Sequence, residues 1–478
     1  MTTIRSTSEI IQQIVADSQY TPTAEEVSTL TTDGFDPSAV AEKYQQVHDR
    51  LVASGLDAGT VSKFDASWTR WAADVVEGGA YDVLAYSIDQ RTTMAGTLGQ
   101  VDGSGLAVSA LMTAAGDVHN IAYAPDLVDA ALISLGNEGT KASSATDTLI
   151  AVLTNPKSTS DMIDSAMYAL SKVGSSAVEA LPHLAQFVGV GNWSDTALDS
   201  MACVFDNFLK KNSSQSFQEY QFDNLFAGMN AAQESAFCLH YLAMVENDEL
   251  PARFFVVTEG SGTNVDLDAH LAGRVLNLSG YDSYQDGLLS LAQDGGQPEY
   301  VRRDAMTVAG DYVGINTTML ADISAASASK EIPASVRTAA ARAVGNNASL
   351  LDGYIVDAGP QDFPAAQRKQ IETDLWNNIN RGGSALVAES TETLVAMGHG
   401  DWGVDVLTQT QDPVRQLSIC EGLYNAGYYS PSETYAAGDP RVKVEQALLN
   451  LITPQNDGSP KLNESLLAKA KQLLGLTG

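Results

Sequence analysis

Apolar and polar positions follow a helical period through most of the chain, and residues 161–188 show the pattern clearly. Five apolar side chains in this segment fall on one helical face: Met162, Ala166, Ala169, Leu170 and Val173. A second set follows at similar spacing: Ala177, Val178, Leu181, Leu184 and Phe187. Gly174 lies between them, and glycine commonly ends a helix because it tolerates left-handed backbone. The segment therefore predicts a hairpin of two helices.

The hairpin pattern recurs along the chain. VRRDAMTVAG begins at Val301, and VRTAAARAVG begins 35 residues later at Val336. Steps of 34 or 35 residues give eight equivalent first positions: Leu127, Met162, Ala197, Ala232, Leu267, Val301, Val336 and Ile371. The fifth positions are all apolar: Ala131, Ala166, Met201, Ala236, Leu271, Ala305, Ala340 and Leu375. Self-similarity at this period predicts an all-α protein, an α-solenoid of stacked hairpins.

Alanine occupies five of the eight fifth positions. Closely packed helices tolerate only a small side chain where their backbones approach. We therefore expect Ala305 and Ala340 to be buried at helix crossings, and the neighbouring Asp304 to be exposed.

The repeated unit resembles the HEAT (armadillo-like) repeat. Six residues match its first helix: Val336, Arg337, Ala340, Ala343, Val344 and Gly345. Six others match its second helix: Ala177, Val178, Ala180, Leu181, Pro182 and Leu184. The resemblance covers roughly residues 120–450 and implies a curved surface that binds proteins, although a few such folds are enzymes. The Val-Arg pair at Val301 and Val336 occurs in one more unit, at Val414. This position lies 43 residues past Ile371, which indicates an insertion within residues 381–403.

The periodicity predicts four segments along the chain. They are a helical N-terminal capping subdomain (1–120), regular HEAT-like repeats (121–380), divergent C-terminal repeats (381–453), and a loop with a terminal amphipathic helix (454–478). In the first segment we expect helices after the capping box at Ser6, from Asp36 onward, and around Trp68. The terminal helix carries Lys469 and Lys471, either as a cap on the last repeat or as a contact to an acidic neighbour, such as another copy.

The charge balance changes which partners are expected. The chain has 27 Lys and Arg residues against 59 Asp and Glu residues, a net charge of −32. This charge repels nucleic acid and anionic membranes, which bind through lysine and arginine. The excess of acid indicates either adaptation to a salty environment or a basic protein partner. Neither a signal peptide nor an apolar run of membrane-spanning length occurs, so we expect a cytoplasmic or virion-associated protein.

Candidate chemistry is sparse in this sequence. The six histidines lack metal-ligand spacing, and Cys238 and His240 diverge on a helix. The run Asn264-x-Asp266-x-Asp268 is typical of a calcium loop, but Ala269 replaces the required glycine. We interpret it instead as a helix start, and we expect no catalytic residue, cofactor or metal.

Two further features remain open to alternative interpretations. Arg302 and Arg303 could bind an anionic ligand, or they could pair with an aspartate or backbone carbonyl of the next unit. Trp402, Tyr424 and Tyr428 form an aromatic-rich group near the break in the period. We expect these three to contact a partner, because aromatic side chains dominate interfaces, and core packing is the alternative.

These observations predict a non-catalytic protein-binding scaffold, or a structural subunit of a larger cellular or viral assembly. Its partners would be proteins, possibly other copies of the chain. The resemblance leaves one alternative, a HEAT-like enzyme of the bilin-lyase type. A glycosylase of this fold is excluded because it needs a basic concave face.

Overall fold

The computed structural model describes residues 48–49, 52, 58–77, 87–99, 105–212, 217–251, 255–258, 264–279, 284–311, 316–351, 363–455 and 459–476. The predicted capping box at Ser6 and the start of the helix at Asp36 lie outside the described residues. Tertiary contacts divide the chain into two compact units. Unit 1 contains Met1–Phe237 and Arg253–Leu267, and unit 2 contains Cys238–Ala252 and Asp268–Gly478.

Unit 1 is a stack of helical hairpins. Its described α-helices are α1 (Ala58–Glu77), α2 (Ile88–Leu98), α3 (Gly105–Gly116), α4 (Val118–Tyr123), α5 (Pro125–Glu138), α6 (Thr146–Leu153), α7 (Ser160–Lys172), α8 (Leu181–Leu184), α9 (Trp193–Lys211), α10 (Glu219–Leu225) and the start of α11 (Ala231–Glu246). Helices α2, α5, α7 and α9 pack side by side in one row, and α1, α3 and α6 form a second row against it. The predicted all-α architecture of HEAT-like hairpins is confirmed in this unit.

The second half of the hairpin at 161–188 differs from the prediction. All five predicted apolar residues are buried, four in α7 and Val173 directly after its end. Residues 174–187, however, are divided into 3₁₀ helix (Gly174–Ala180), α8, and 3₁₀ helix (Ala185–Phe187). Pro182 lies in the first turn of α8. Because proline has no N–H to donate to a carbonyl one turn earlier, it disfavours a continuous α-helix through this position and is accommodated in the first turn of α8.

A small three-stranded sheet in unit 1 was not predicted. Strand β1 (Phe217–Gln218) pairs in parallel with β2 (Val256–Thr258), which pairs antiparallel with β3 (Asn264–Asp266). Asn264 and Asp266 lie in β3, and α12 begins directly after them at Leu267 with Asp268 in its first turn, so the run leads into a helix start with a first-turn acid as we interpreted it. Phenylalanine rings surround the sheet, with Phe217 and Phe255 centred 5.4 Å apart.

Unit 2 is a second stack of hairpins. Its helices among the described residues are α12 (Leu267–Ser279), α13 (Tyr284–Gln293), α14 (Glu299–Asp311), α15 (Thr317–Ala328), α16 (Ala334–Asn346), α17 (Ala348–Leu351), α18 (Ala365–Arg381), α19 (Ser384–Ala396), α20 (Gly400–Gln409), α21 (Pro413–Asn425), α22 (Arg441–Ile452) and α23 (Glu464–Leu473), with the end of α11. The first row contains α14, α16, α19 and α21. Each packs against a second-row helix: α13, α15, α18 and α20 respectively.

The fifth positions of the repeat are all buried, as predicted. Two first positions behave differently from the rest. Ala232 is exposed in the first turn of α11. Ile371 is buried on α18, which packs against α15 in the second row, whereas Val336 lies on α16 in the first row. The last 35-residue step therefore crosses between rows. The insertion expected within residues 381–403 is wrong, because these residues form α19 of the first row and the start of α20 of the second row.

The tenth position of the repeat marks a close approach between helices of one row. A Cβ atom at Gly310 would lie 2.6 Å from the Ala343 Cβ, and one at Gly345 would lie 2.8 Å from the Thr393 Oγ1. In unit 1, a Cβ at Gly136 would lie 2.5 Å from the Tyr168 ring. The glycine that follows the alanine positions thus permits successive first-row helices to pack together.

Asp304 is not exposed as we expected: only 3% of its surface is accessible. Its carboxylate lies 2.8 Å from the His240 Nδ1 of α11 and accepts a hydrogen bond of 2.8 Å from the Arg303 Nε. The prediction was wrong because α11 covers this side of α14. The Nδ1 of His240 therefore contacts a buried carboxylate.

The arginine of the Val-Arg pair caps the preceding helix of its own hairpin. The Arg302 Nε donates to the Ala292 carbonyl at 3.0 Å, and the Arg337 Nε donates to the Ser327 carbonyl at 2.8 Å. A backbone carbonyl is thus the partner, as one interpretation expected, but it lies in the preceding helix rather than in the next unit. In the described part of the chain, no helix is both long and apolar enough to cross a membrane.

Candidate functional site

Two cavities in unit 2 contain the exposed aromatic residues that the sequence indicated. The first, which we name the tryptophan corner, has a volume of about 460 Å³. It is lined by Lys369, Glu372, Thr373, Trp376, Trp402, Asp405 and Gln409. The first four come from one face of α18, and the last three come from one face of α20 at helical spacing.

The two indole rings of the tryptophan corner meet edge to face. Their centroids lie 6.4 Å apart at an interplanar angle of 78°, and Trp376 is 38% exposed and Trp402 44% exposed. The ring of His399 stacks on Trp402 at 3.9 Å. His399, the residue directly before α20, also has its Nε2 3.2 Å from the Glu372 Oε1 of α18, so this contact joins α18 to the start of α20.

The second cavity, the tyrosine cleft, has a volume of about 840 Å³. It is lined by Glu246, Asn247, Asp248, Glu249, Arg342, Asn346, Glu389, Glu392, Tyr424, Asn425, Gly427, Tyr429 and Ser430. These residues lie on α11 and the turn after it, on α16 and α19, and at the end of α21 and in the residues that follow it. Five carboxylates and one guanidinium make the lining negative.

Arg342 links three elements of the tyrosine cleft. Its Nη1 donates to the Asn247 Oδ1 at 3.0 Å, and its Nε donates to the Glu389 Oε1 at 3.2 Å. The hydrogen bond to Glu389 raises the pKa of Arg342, while burial and the nearby Glu389 raise the pKa of Glu392. Since Glu389 already pairs with Arg342, the lining as a whole carries more negative than positive charge.

Asp248, which lines the cleft, has a left-handed backbone conformation. Its φ is 58°, which makes it the only non-glycine residue with a positive φ in the described part of the chain. The amides of Glu249 and Leu250 both donate to the Met244 carbonyl at the end of α11, at 2.9 and 3.1 Å. This left-handed C-terminal turn usually contains glycine, so the sequence pattern did not reveal it.

The three predicted partner-binding residues do not line one cavity. Trp402 lines the tryptophan corner, whereas Tyr424, which is 40% exposed, lines the tyrosine cleft. Tyr428 lines neither: its hydroxyl donates to the Asp401 Oδ1, and its ring packs over Gly400 at the start of α20. Burial and the hydrogen bond to Asp401 raise the pKa of Tyr428.

Sequence reasoning missed Trp376 and Arg342. The signal for Trp376 was present, because Ile371, Leu375 and Ile379 fill the buried face of α18 and leave Trp376 on the opposite side. Arg342 had no such signal, since its partners Asn247 and Glu389 lie 95 and 47 residues away in the chain.

The C-terminal helix α23 packs against α21 and α22 and buries Ala470 and Leu473. Lys469 forms an ion pair with Glu421 of α21. This geometry favours the interpretation of α23 as a terminal cap. Lys471 is exposed.

The described residues contain no candidate metal site. Within those residues, no group of three or more His, Cys, Asp or Glu side chains is arranged to hold a metal ion. Of the three cysteines, Cys238 and Cys420 are buried. Burial raises the pKa of the Cys420 thiol to about 12, so it stays protonated at neutral pH.

The fold defines a protein of stacked, HEAT-like helical hairpins. Among solved structures, the chain is similar to importin beta, at 8% identity and a TM-score of 0.40, over 98% of this chain and 64% of that one. It is also similar to Uso1 (13% identity, TM-score 0.34, 98% of this chain and 86% of that one). A beta-catenin structure from work on its interaction with cadherin is 10% identical, with a TM-score of 0.33, over 98% of this chain and 91% of that one. The chain spans 64% of the length of that importin beta chain.

No protein-family model and no curated protein matches the sequence. At identities of 8–13% and TM-scores no higher than 0.40, these similarities transfer no function.

Proposed function

We propose that this protein is a non-catalytic scaffold that binds other proteins, as a subunit of a larger cytoplasmic or virion assembly. One observation carries the proposal: Trp402 and Tyr424 are both large, exposed and placed at the rims of cavities rather than in the core. Large aromatic side chains supply much of the affinity at protein interfaces.

The charge of the cavities selects the kind of partner. The tyrosine cleft contains five carboxylates, and its one guanidinium already pairs with Glu389. A basic or neutral surface would gain from this lining, whereas an acidic surface would be repelled. Association should therefore weaken as salt is added, because the attraction is screened.

Affinity capture from the native source tests the proposal. Wild-type protein, Trp402→Ala, Tyr424→Ala and Tyr220→Ala are immobilised in parallel, with thermal melts to confirm folding. Tyr220 is the matched control, because it is 62% exposed on α10 in unit 1 and lines neither cavity. We expect at least one protein that the wild type and Tyr220→Ala retain and that one of the other variants loses. Identical retention on all four proteins would contradict the proposal.

The alternative function is that of a HEAT-like enzyme of the bilin-lyase type. An absorbance band in the visible region of the purified protein, or turnover of a tetrapyrrole that one substitution abolishes in a folded variant, would establish it. Light scattering on the same sample tests whether the chain assembles with its own copies.

A further inference from the structure

The tryptophan corner offers two aromatic walls to one guest. Trp376 and Trp402 stand at 78° to each other with centroids 6.4 Å apart, and both rings are exposed. One face of Trp402 is covered by His399. A cation near an indole ring is attracted by the negative charge of the ring face, and tryptophan binds cations best among the aromatic residues.

Charge in the corner favours the same kind of guest. Glu372 and Asp405 line it, against a single lysine, Lys369. Glu372 already contacts His399 and Arg368, at 3.2 and 3.3 Å. Asp405, exposed one turn after Trp402, has no ion pair or side-chain hydrogen bond among the residues that the structure describes. The corner therefore combines exposed indole surface with a carboxylate that is available to a ligand.

Other classes of guest fit these groups poorly. An anion would meet the carboxylate of Asp405, while Arg368 and His399 are already engaged by Glu372 and only Lys369 among the lining residues carries a positive charge. An apolar side chain would remove water from Asp405 without giving the carboxylate a hydrogen bond, which costs free energy. A cation with several N–H donors satisfies both the indole rings and the carboxylate.

We propose that the tryptophan corner binds an arginine side chain in a basic segment of the protein partner. A planar guanidinium stacks on aromatic rings and donates paired hydrogen bonds to one carboxylate, whereas the lysine ammonium is more strongly hydrated and acts as a point charge. The volume of about 460 Å³ suits a side chain of an extended segment. This inference rests on the proposed function and adds the chemistry that the partner must present.

Fluorine NMR of fluorotryptophan-labelled protein tests the proposal without a known partner. The chain has five tryptophans, and Trp376→Phe and Trp402→Phe assign the two resonances of the corner. The protein is titrated with a short peptide of arginine, glycine and serine, and with the same peptide containing lysine or glutamine in place of arginine. We expect the arginine peptide to move these two resonances in a saturable way, to bind ~3-fold or more tighter than the lysine peptide, and to leave Trp193 unmoved.

A matched pair of charge variants separates this site from the general acidity of the chain. Glu372→Gln with Asp405→Asn should weaken the arginine peptide by ~10-fold. Asp126→Asn with Asp147→Asn removes the same charge at exposed carboxylates that do not line the corner, and it should leave the Kd unchanged. If the first pair lowers the melting temperature, Asp405→Asn alone replaces it, because Asp405 is exposed.

Three results would overturn the inference. They are no movement of the two resonances with arginine peptide, equal binding of the arginine and glutamine peptides, or equal binding of the arginine and lysine peptides. If capture from the source depends on Trp402 while the arginine peptide does not bind, the scaffold proposal stands and the arginine inference fails. If the peptide binds as expected but no protein is captured, the scaffold proposal fails and the corner remains an arginine site.

Discussion

Asp304 carries two interactions that connect α14 to α11. Its buried carboxylate contacts His240 and accepts a hydrogen bond from Arg303. Asp304→Ala removes the acceptor from both, so we expect a loss of ~1–3 kcal/mol in the free energy of unfolding. Asp322→Ala, at an exposed carboxylate of α15, should cost under ~0.5 kcal/mol. Chemical denaturation of the two variants measures the difference, and equal losses would show that the contacts of Asp304 contribute nothing.

Glu392 in the tyrosine cleft should make stability depend on pH. Burial, with the adjacent Glu389, raises its pKa in the folded protein above the unfolded value. The folded state therefore binds the proton more tightly, and stability is lost as pH rises from the unfolded pKa of ~4.3 through the folded pKa. Glu392→Gln removes this loss.

The variant should melt at a higher temperature than the wild type at pH 7, and the two should converge near pH 4. The matched control is Glu331→Gln, at an exposed glutamate outside the cleft, which should shift little at either pH. A lower melting temperature for Glu392→Gln at pH 7 would mean that the charged form of Glu392 is stabilised in the cleft.

At the scale of the helices, Gly310 tests how closely first-row helices pack. Alanine normally stabilises a helix relative to glycine by ~0.5–1 kcal/mol. At Gly310 the new Cβ would meet Ala343, and we expect overpacking to cost ~1–3 kcal/mol. Gly96→Ala is the matched control, because Gly96 lies within α2 and a Cβ there meets no atom within 4 Å. Opposite signs of the two changes in unfolding free energy are expected, and stabilisation by both would contradict the close packing.

The helices and their buried faces were the part of the fold most accessible from the sequence. Period and composition placed Met162, Ala166 and Ala340 in the core, because a helix buried on one side repeats its apolar residues at a fixed interval. The short strand at Asn264–Asp266 was not predicted. It pairs with β2 over only three residues, and a segment of that length is too short to show a periodic pattern of apolar residues. The change of row at Ile371 was missed because spacing alone does not distinguish the two rows.

The candidate site was accessible only in part. Trp402 and Tyr424 were recognisable as unusual aromatic residues near the break in the period, and each lines a cavity. The sequence could not show that the two residues line different cavities, because this depends on which helices pack together. The Arg342–Glu389 pair likewise joins α16 to α19 and exists only in the folded chain.

At the scale of the whole molecule, the net charge of −32 should make stability depend on salt. Repulsion among carboxylates weakens the compact state, and salt screens it over a Debye length of ~10 Å at 0.1 M. We expect the melting temperature to rise between ~0.01 M and ~0.5 M NaCl. A flat or falling curve would mean that the carboxylates are individually paired or neutralised by bound cations.

The affinity of the first captured partner for Trp402→Ala tests the scaffold claim most directly. Exposed tryptophans that anchor interfaces cost ~2 kcal/mol or more when truncated, about a 30-fold rise in Kd. Calorimetry with purified partner should show this rise for Trp402→Ala, and no change for Tyr220→Ala, whose side chain is exposed on α10. If neither Trp402→Ala nor Tyr424→Ala changes the Kd for the partner, the scaffold proposal is contradicted.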